Sequence, residues 1–200
     1  GANSNTMGQL YETEIGFDQM NTIEDYNQGI FVTKSYNANI QNNELSRLNR
    51  GISVFNCRYA QVSIEKNKLN YFQNSGINLQ DDFSSEVFVR DNELNMTLPF
   101  VLTEESRKGI YLHNSSHISS TLKITDNFIA NCRTGIQVMN QVDGTIKGNS
   151  VISRVPDVEL FGSGNIYRRG IWLQNSSTEI EENDVLRLCT GCTTDTAMNG

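Results

Sequence analysis

The 200 residues fit one domain or two small ones, and a hydrophobic share of 37% is enough to bury a core rather than leave the chain disordered. Sixteen basic residues against 23 acidic ones give a net charge of −7, the wrong sign for a nucleic-acid surface or a polybasic membrane patch. No apolar run approaches the roughly 20 residues that cross a bilayer, so neither nucleic acid nor membrane insertion is expected. No signal peptide opens the chain; Gly1-Ala2 fits a trimmed start, and a signal removed earlier is compatible with it.

In chain order, residues 1–28 offer Leu10, Ile15, Phe17, Met20 and Ile23 without a clear period, and are read as a degenerate coil or a cap. From residue 29 the chain repeats. Gly-Ile recurs at Gly29, Gly51, Gly76, Gly109, Gly135 and Gly170, and two residues after each Ile stands Val32, Val54, Leu79, Leu112, Val138 or Leu173. A second signature, apolar-x-x-Asn-x-apolar, follows in every unit: Ile40/Asn43/Leu45, Ile64/Asn67/Leu69, Val89/Asn92/Leu94, Ile124/Asn127/Ile129, Ile146/Asn149/Val151 and Ile180/Asn183/Val185. Successive Gly-Ile pairs lie 22, 25, 33, 26 and 35 residues apart. Residues 29–188 are therefore one repeat array, and 189–200 read as an irregular end, as expected of a piece of a longer surface protein.

Gly-Ile-x-Val/Leu alternates apolar and polar, the period of a strand with one buried face, and Ile and Val are stiff residues that favour strands. Glycine ahead of the strand is expected to supply a positive φ at a corner. Asn tolerates the left-handed region and is expected both to take the bend between two short strands and to stack on its counterparts as an amide ladder. No segment keeps a helical period over ten residues. A leucine-rich repeat shares the apolar-x-x-Asn-x-apolar motif, as in Val62-Ser-Ile64-Glu-Lys-Asn67-Lys-Leu69. It lacks a place for the Gly-Ile strand, the Leu three residues upstream is missing, and its period is shorter.

The units resemble right-handed parallel β-helix repeats of the pectin-lyase-like superfamily. The resemblance implies an all-β, single-stranded right-handed parallel β-helix of about six to seven coils with three strands each. The first strand is Gly-Ile-x-Val/Leu, the second ends at the Ile or Val before Asn, and the third starts at the apolar residue after it.

Ile and Val or Leu of each first strand point inward, so the alternate residues form an outward column: Phe31/Thr33, Ser53/Phe55, Asn78/Gln80, Tyr111/His113, Gln137/Met139 and Trp172/Gln174. Basic residues precede the glycine at Arg50, Lys108 and Arg169. Two coils are near copies, Arg107-Lys108-Gly-Ile-Tyr-Leu-His and Arg168-Arg169-Gly-Ile-Trp-Leu-Gln, and long insertions at 95–108 and 153–169 precede them. Aromatic faces, amides and guanidinium groups suit sugars. Phe31, Phe55, Gln80, Tyr111, His113, Gln137, Trp172, Gln174, Lys108 and Arg169 are accordingly the candidate glycan contacts. In pectin-lyase-like enzymes the first-strand face is where the polysaccharide lies.

For catalysis the candidates are Asp81, Asp82, His113 and Arg169. The Asp81-Asp82 pair admits calcium through its oxygens, the single cofactor considered, and His113 beside it suits a general acid or base; solvated loop carboxylates are the plainer reading. The superfamily's Asn-Thr-Asp, Gly-His-Gly and Asp-Pro-His-Asp runs are missing, and Arg154-Val-Pro156 lacks the second Arg of the pectate-lyase pattern. The cysteines Cys57, Cys132, Cys189 and Cys192 are too few for a disulfide scaffold. Cys189-Thr-Gly-Cys192 has no partner pair for zinc, and His113 and His117 read as strand and turn rather than a helical chelate. Two function classes follow: a noncatalytic β-helix module of a secreted or cell-surface protein that binds polysaccharide, or a polysaccharide lyase or glycoside hydrolase. A phage tail-fibre segment is a third.

Overall fold

The computed structural model describes residues 12–16, 19–57, 61–80, 86–96, 107–113, 121–140, 143–153 and 169–187. Among them the regular structure is strand only. In chain order the strands are β1 (Glu12–Ile15), β2 (Thr22–Glu24), β3 (Gln28–Thr33), β4 (Asn37–Gln41), β5 (Glu44–Phe55), β6 (Gln61–Glu65), β7 (Lys68–Gln80), β8 (Glu86–Arg90) and β9 (Glu93–Asn95). They continue as β10 (Lys108–His113), β11 (Thr121–Thr125), β12 (Phe128–Ala130), β13 (Thr134–Met139), β14 (Thr145–Lys147), β15 (Ser150–Ser153), β16 (Arg169–Gln174), β17 (Glu179–Glu181) and β18 (Asp184–Arg187).

All pairings are parallel, and each strand pairs with its counterparts in the units before and after. The pairings define three stacks. The Gly-Ile strands form the first face: β3, the later half of β5, the later half of β7, β10, β13 and β16. The second face runs β1-β4-β6-β8-β11-β14-β17. The third holds β2, the early halves of β5 and β7, β9, β12, β15 and β18. The chain thus winds as a parallel β-helix, with strands in the expected places to within a residue.

The three faces enclose one core. Ile52, Ile77, Ile110 and Ile136 of the first face, Ile40, Ile64, Val89, Ile124 and Ile146 of the second and Leu45, Leu94 and Ile129 of the third are all fully buried. Each stacks on the equivalent side chain one coil away, so similar side-chain volumes meet at every level, which is what close packing of a repeat requires.

Asparagine makes the predicted ladder. Each Asn Nδ2 donates to the Oδ1 of the next: Asn21 to Asn43 at 2.9 Å, Asn43 to Asn67 at 2.9 Å, Asn67 to Asn92 at 3.0 Å, Asn92 to Asn127 at 2.9 Å, Asn127 to Asn149 at 2.9 Å and Asn149 to Asn183 at 2.8 Å. The same Nδ2 groups donate to main-chain carbonyls of the preceding coil, as Asn127 does to Val89 O at 2.8 Å. Each Oδ1 from Asn67 to Asn183 also accepts the backbone N–H of the preceding ladder Asn. A buried amide with all its groups paired stabilises where an unpaired one would cost.

Two expectations are corrected. The left-handed residue is not the ladder Asn but the one before it: Asn42, Lys66, Asp91, Asp126, Gly148 and Glu182 have φ of 54°, 54°, 56°, 57°, 67° and 50°. Asparagine does take that conformation at the corner leaving the first face, at Asn56, Asn140 and Asn175. Nor do the Gly-Ile glycines have positive φ. A Cβ on Gly109 would stand 2.5 Å from Ile129 Cγ2 and 2.6 Å from the Gly135 carbonyl oxygen. These glycines are required by close approach between coils, not by dihedral freedom.

Candidate functional site

The outward side of the first face is built by strand register, which aligns three columns along the helix axis. The first is Gln28, Arg50, Ser75, Lys108, Thr134 and Arg169; the second is Phe31, Ser53, Asn78, Tyr111, Gln137 and Trp172; the third is Thr33, Phe55, Gln80, His113, Met139 and Gln174. Neighbours within a column are one coil apart, about 4.8 Å.

All ten candidate contacts fall on these columns, in distinct environments. Phe31 is 51% exposed and lies against Phe55, ring centroids 5.6 Å apart. Tyr111 is half-buried: the Lys108 ammonium sits over its ring at 3.6 Å from the centroid, and His113 stacks on it at 6.0 Å and 15°. Trp172 repeats the arrangement with the Arg169 guanidinium at 3.8 Å. The near-copied coils are therefore copies of one cation–π device, in which a cation three residues before an aromatic ring covers its face. Gln80 is half-buried and Gln174 exposed.

The outward column is not exposed throughout. Ser53, Asn78 and Gln137 are buried, Asn78 and Gln137 at 2% exposure each. Ser53 Oγ, Ser75 Oγ, Asn78 Oδ1 and Gln137 Oε1 have no hydrogen-bond partner, although the Gln137 amide donates to Met139 Sδ at 3.1 Å. Strand alternation predicts which way a residue points, not what lies over it, so the expectation of an open column fails here. Ser75 and Thr134 were missed altogether. Their signal was available, since they occupy the position before Gly-Ile that Arg50, Lys108 and Arg169 fill elsewhere.

Of the catalytic candidates, His113 and Arg169 lie among the described residues, on β10 and β16. Asp81 and Asp82 lie outside the described residues, as do most of both insertions, Arg154, Pro156, His117, Cys189 and Cys192. In the register His113 stands between Gln80 and Met139. Among the described residues no group of three His, Cys, Asp or Glu side chains could hold a metal ion. Cys57 and Cys132 are buried, their thiols donating to the Phe55 and Ala130 carbonyl oxygens at 3.8 and 3.6 Å.

Three cations elsewhere, Arg47, Arg90 and Lys147, are paired with carboxylates. On the second face Arg90 reaches Glu65 at 2.8 Å. Burial would raise the Glu65 carboxyl, but hydrogen bonds from Arg90 and Ser63 hold it below the ordinary carboxylate value. Arg47 pairs with Glu24 and Asp25, and Lys147 with Glu181 and Glu182. Arg50 and Arg169 have no carboxylate partner among the described residues. Arg107, next to Lys108, is 4% exposed; burial, with Arg133 nearby, pushes its guanidinium below the usual value.

A sequence model of the family described as a right handed beta helix region matches residues 17–185. No curated protein and no solved structure matches the chain.

Proposed function

The chain belongs to the right-handed β-helix family, and on that premise we propose that it is a noncatalytic module of a larger secreted or cell-surface protein that binds a polysaccharide along its first face. The observation that carries this reading is the register. It places aromatic rings, amides and cations in continuous columns at one-coil spacing on one side of the helix. A polymer laid along the axis meets exposed or half-buried rings and cations at Phe31, Phe55, Lys108, Tyr111, Arg169 and Trp172. On the outward side of the second face, by comparison, Arg90 and Lys147 are taken up by Glu65, Glu181 and Glu182, and Lys123 lies 5.7 Å from the Phe88 ring centroid.

The test is a glycan array with the purified chain, read for binding and for cleavage products with and without calcium. Trp172 is the only tryptophan, so its emission reports the site directly in solution titrations. Binding that shifts Trp172 emission without cleavage supports the module. Calcium-dependent cleavage replaces it with the enzyme reading and turns attention to Asp81, Asp82 and His113. Binding that leaves the emission unchanged removes the first face from consideration.

A further inference from the structure

Met139 ends β13 on the outward side of the first face, in register between His113 and Gln174. Two donors converge on its sulfur: the Gln137 amide Nε2 at 3.1 Å and the Tyr111 hydroxyl at 3.8 Å. A thioether is a weak acceptor, so both donors are loosely satisfied. The other methionines among the described residues stand at the extremes, Met20 at 63% exposure and Met96 at 4%. Met139 is half-buried, within reach of a small oxidant.

The two distances differ in a way that matters for oxidation. At 3.1 Å the amide leaves no space for an atom between itself and the sulfur. At 3.8 Å the hydroxyl leaves space for one oxygen. An oxygen bonded to that sulfur, accepting an O–H···O bond of about 2.7 Å through a bent angle, puts the hydroxyl at much this separation. A sulfoxide oxygen is a stronger acceptor than the thioether it replaces, and Tyr111 is placed to donate to it with little movement of the ring.

We propose that Met139 is a reversible oxidation site, at which a hydroperoxide converts the thioether to a sulfoxide that Tyr111 holds by a hydrogen bond. The sulfur lone pair attacks the peroxide. The S–O bond forms as the O–O bond breaks, sulfur gives up two electrons, and the second oxygen leaves with the proton of the first, as water when the oxidant is hydrogen peroxide. A sulfoxide reductase restores the thioether, oxidising two thiols to a disulfide and releasing the oxygen as water. Sulfoxide formation ordinarily disrupts the packing around a methionine. Here it ties β13 to β10 through Tyr111, whose ring already carries the Lys108 ammonium on its face. The modification therefore tightens the first face, whether or not that face binds a glycan.

The experiment treats the whole chain with hydrogen peroxide, maps each methionine by peptide mass spectrometry, and follows urea unfolding of the reduced and oxidised forms. Met139 should oxidise well ahead of Met96. Oxidation of the other methionines acts alike in wild type and Tyr111→Phe, so the difference between the two isolates the Tyr111 contact. The change in the folded-to-unfolded ratio on oxidation should be about five-fold more favourable in wild type than in Tyr111→Phe, the worth of one neutral hydrogen bond. In a Met139→Leu background that difference should vanish, and reductase with thiol should restore the untreated wild-type curve. Oxidation of Met139 as slow as that of Met96 overturns the site. Equal changes in wild type and Tyr111→Phe, or a difference that survives Met139→Leu, overturn the sulfoxide–tyrosine contact, and a curve that reductase cannot restore overturns its reversibility.

Discussion

Replacing Asn127 with Asp exchanges one NH2 group for one oxygen and tests an interior rung of the ladder. Asn127 Nδ2 donates to Val89 O at 2.8 Å, to Thr125 O at 2.9 Å and to Asn149 Oδ1 at 2.9 Å. An ionised carboxylate there faces three oxygens with nothing to donate, at a residue that is 1% exposed. An uncompensated buried charge costs about 3–5 kcal/mol. Protonation relieves it, since a neutral carboxyl returns one donor, so the folded-state pKa of the new group rises above its unfolded value. The penalty is then fully present above the raised pKa and shrinks as pH falls through it. Asn127→Leu is the control. It removes the Oδ1 that accepts the Asn92 N–H at 3.1 Å, orphaning that donor for about 1–3 kcal/mol at every pH. The assay is urea unfolding of wild type and both variants by circular dichroism, at neutral and mildly acid pH. The reasoning is refuted if Asn127→Asp matches wild type at neutral pH, or if its deficit relative to wild type does not narrow on acidification.

Gly109→Ala places a methyl group against Ile129 and the Gly135 carbonyl and should lower stability by about 1–3 kcal/mol; an unchanged urea midpoint would mean that the coils can separate there. Glu65, held below its ordinary value of 4.5, adds stability that is present above that value and fades as pH falls below it. Stability followed across the acid range should therefore change less steeply in Glu65→Gln than in wild type, and parallel curves would count against the Arg90 contact. Ile136→Asp buries a charge in the stacked core and should prevent folding, visible as loss of the strand signal in circular dichroism; a folded variant would move Ile136 out of the core. Trp172→Ala should leave the melting midpoint nearly unchanged and weaken glycan binding on the array, whereas collapse of the fold would mean that the outward assignment has slipped by one residue.

What was legible in the sequence was whatever the fold demands of a residue type. The stacked Ile, Val and Leu and the buried amide of Asn67 or Asn92 admit few replacements, so they recur and can be counted. Asn21, the first rung, escaped because six residues rather than three separate it from Ile15, a longer corner that breaks the motif while the ladder continues. The left-handed residues left a partial mark. Asn42, Asp91, Asp126 and Gly148 are of types that favour that conformation, but Lys66 and Glu182 are not, so composition points to the position only in some coils. The glycines were visible but their cause was not, since a residue without a Cβ suits both positive φ and close approach. On the candidate face the sequence showed which residues line up. It could not show that Asn78 and Gln137 are covered while Phe31 is open, because that depends on parts of the chain far away in sequence.

The winding has a consequence for how the molecule comes apart. A coil touches only the coils before and after it, so opening need not be a single event; it can proceed as fraying from a margin. Inward Ile136, Val138 and Ile146 are sealed, but of their counterparts one coil on, Ile171 and Leu173 are only partly buried and Ile180 is 49% exposed. Amides of β16, β17 and β18 should trade their hydrogens for deuterium long before those of β7 and β8. One continuous stack of strands would then have a lifetime that varies along its length, lasting at the middle and brief at that margin.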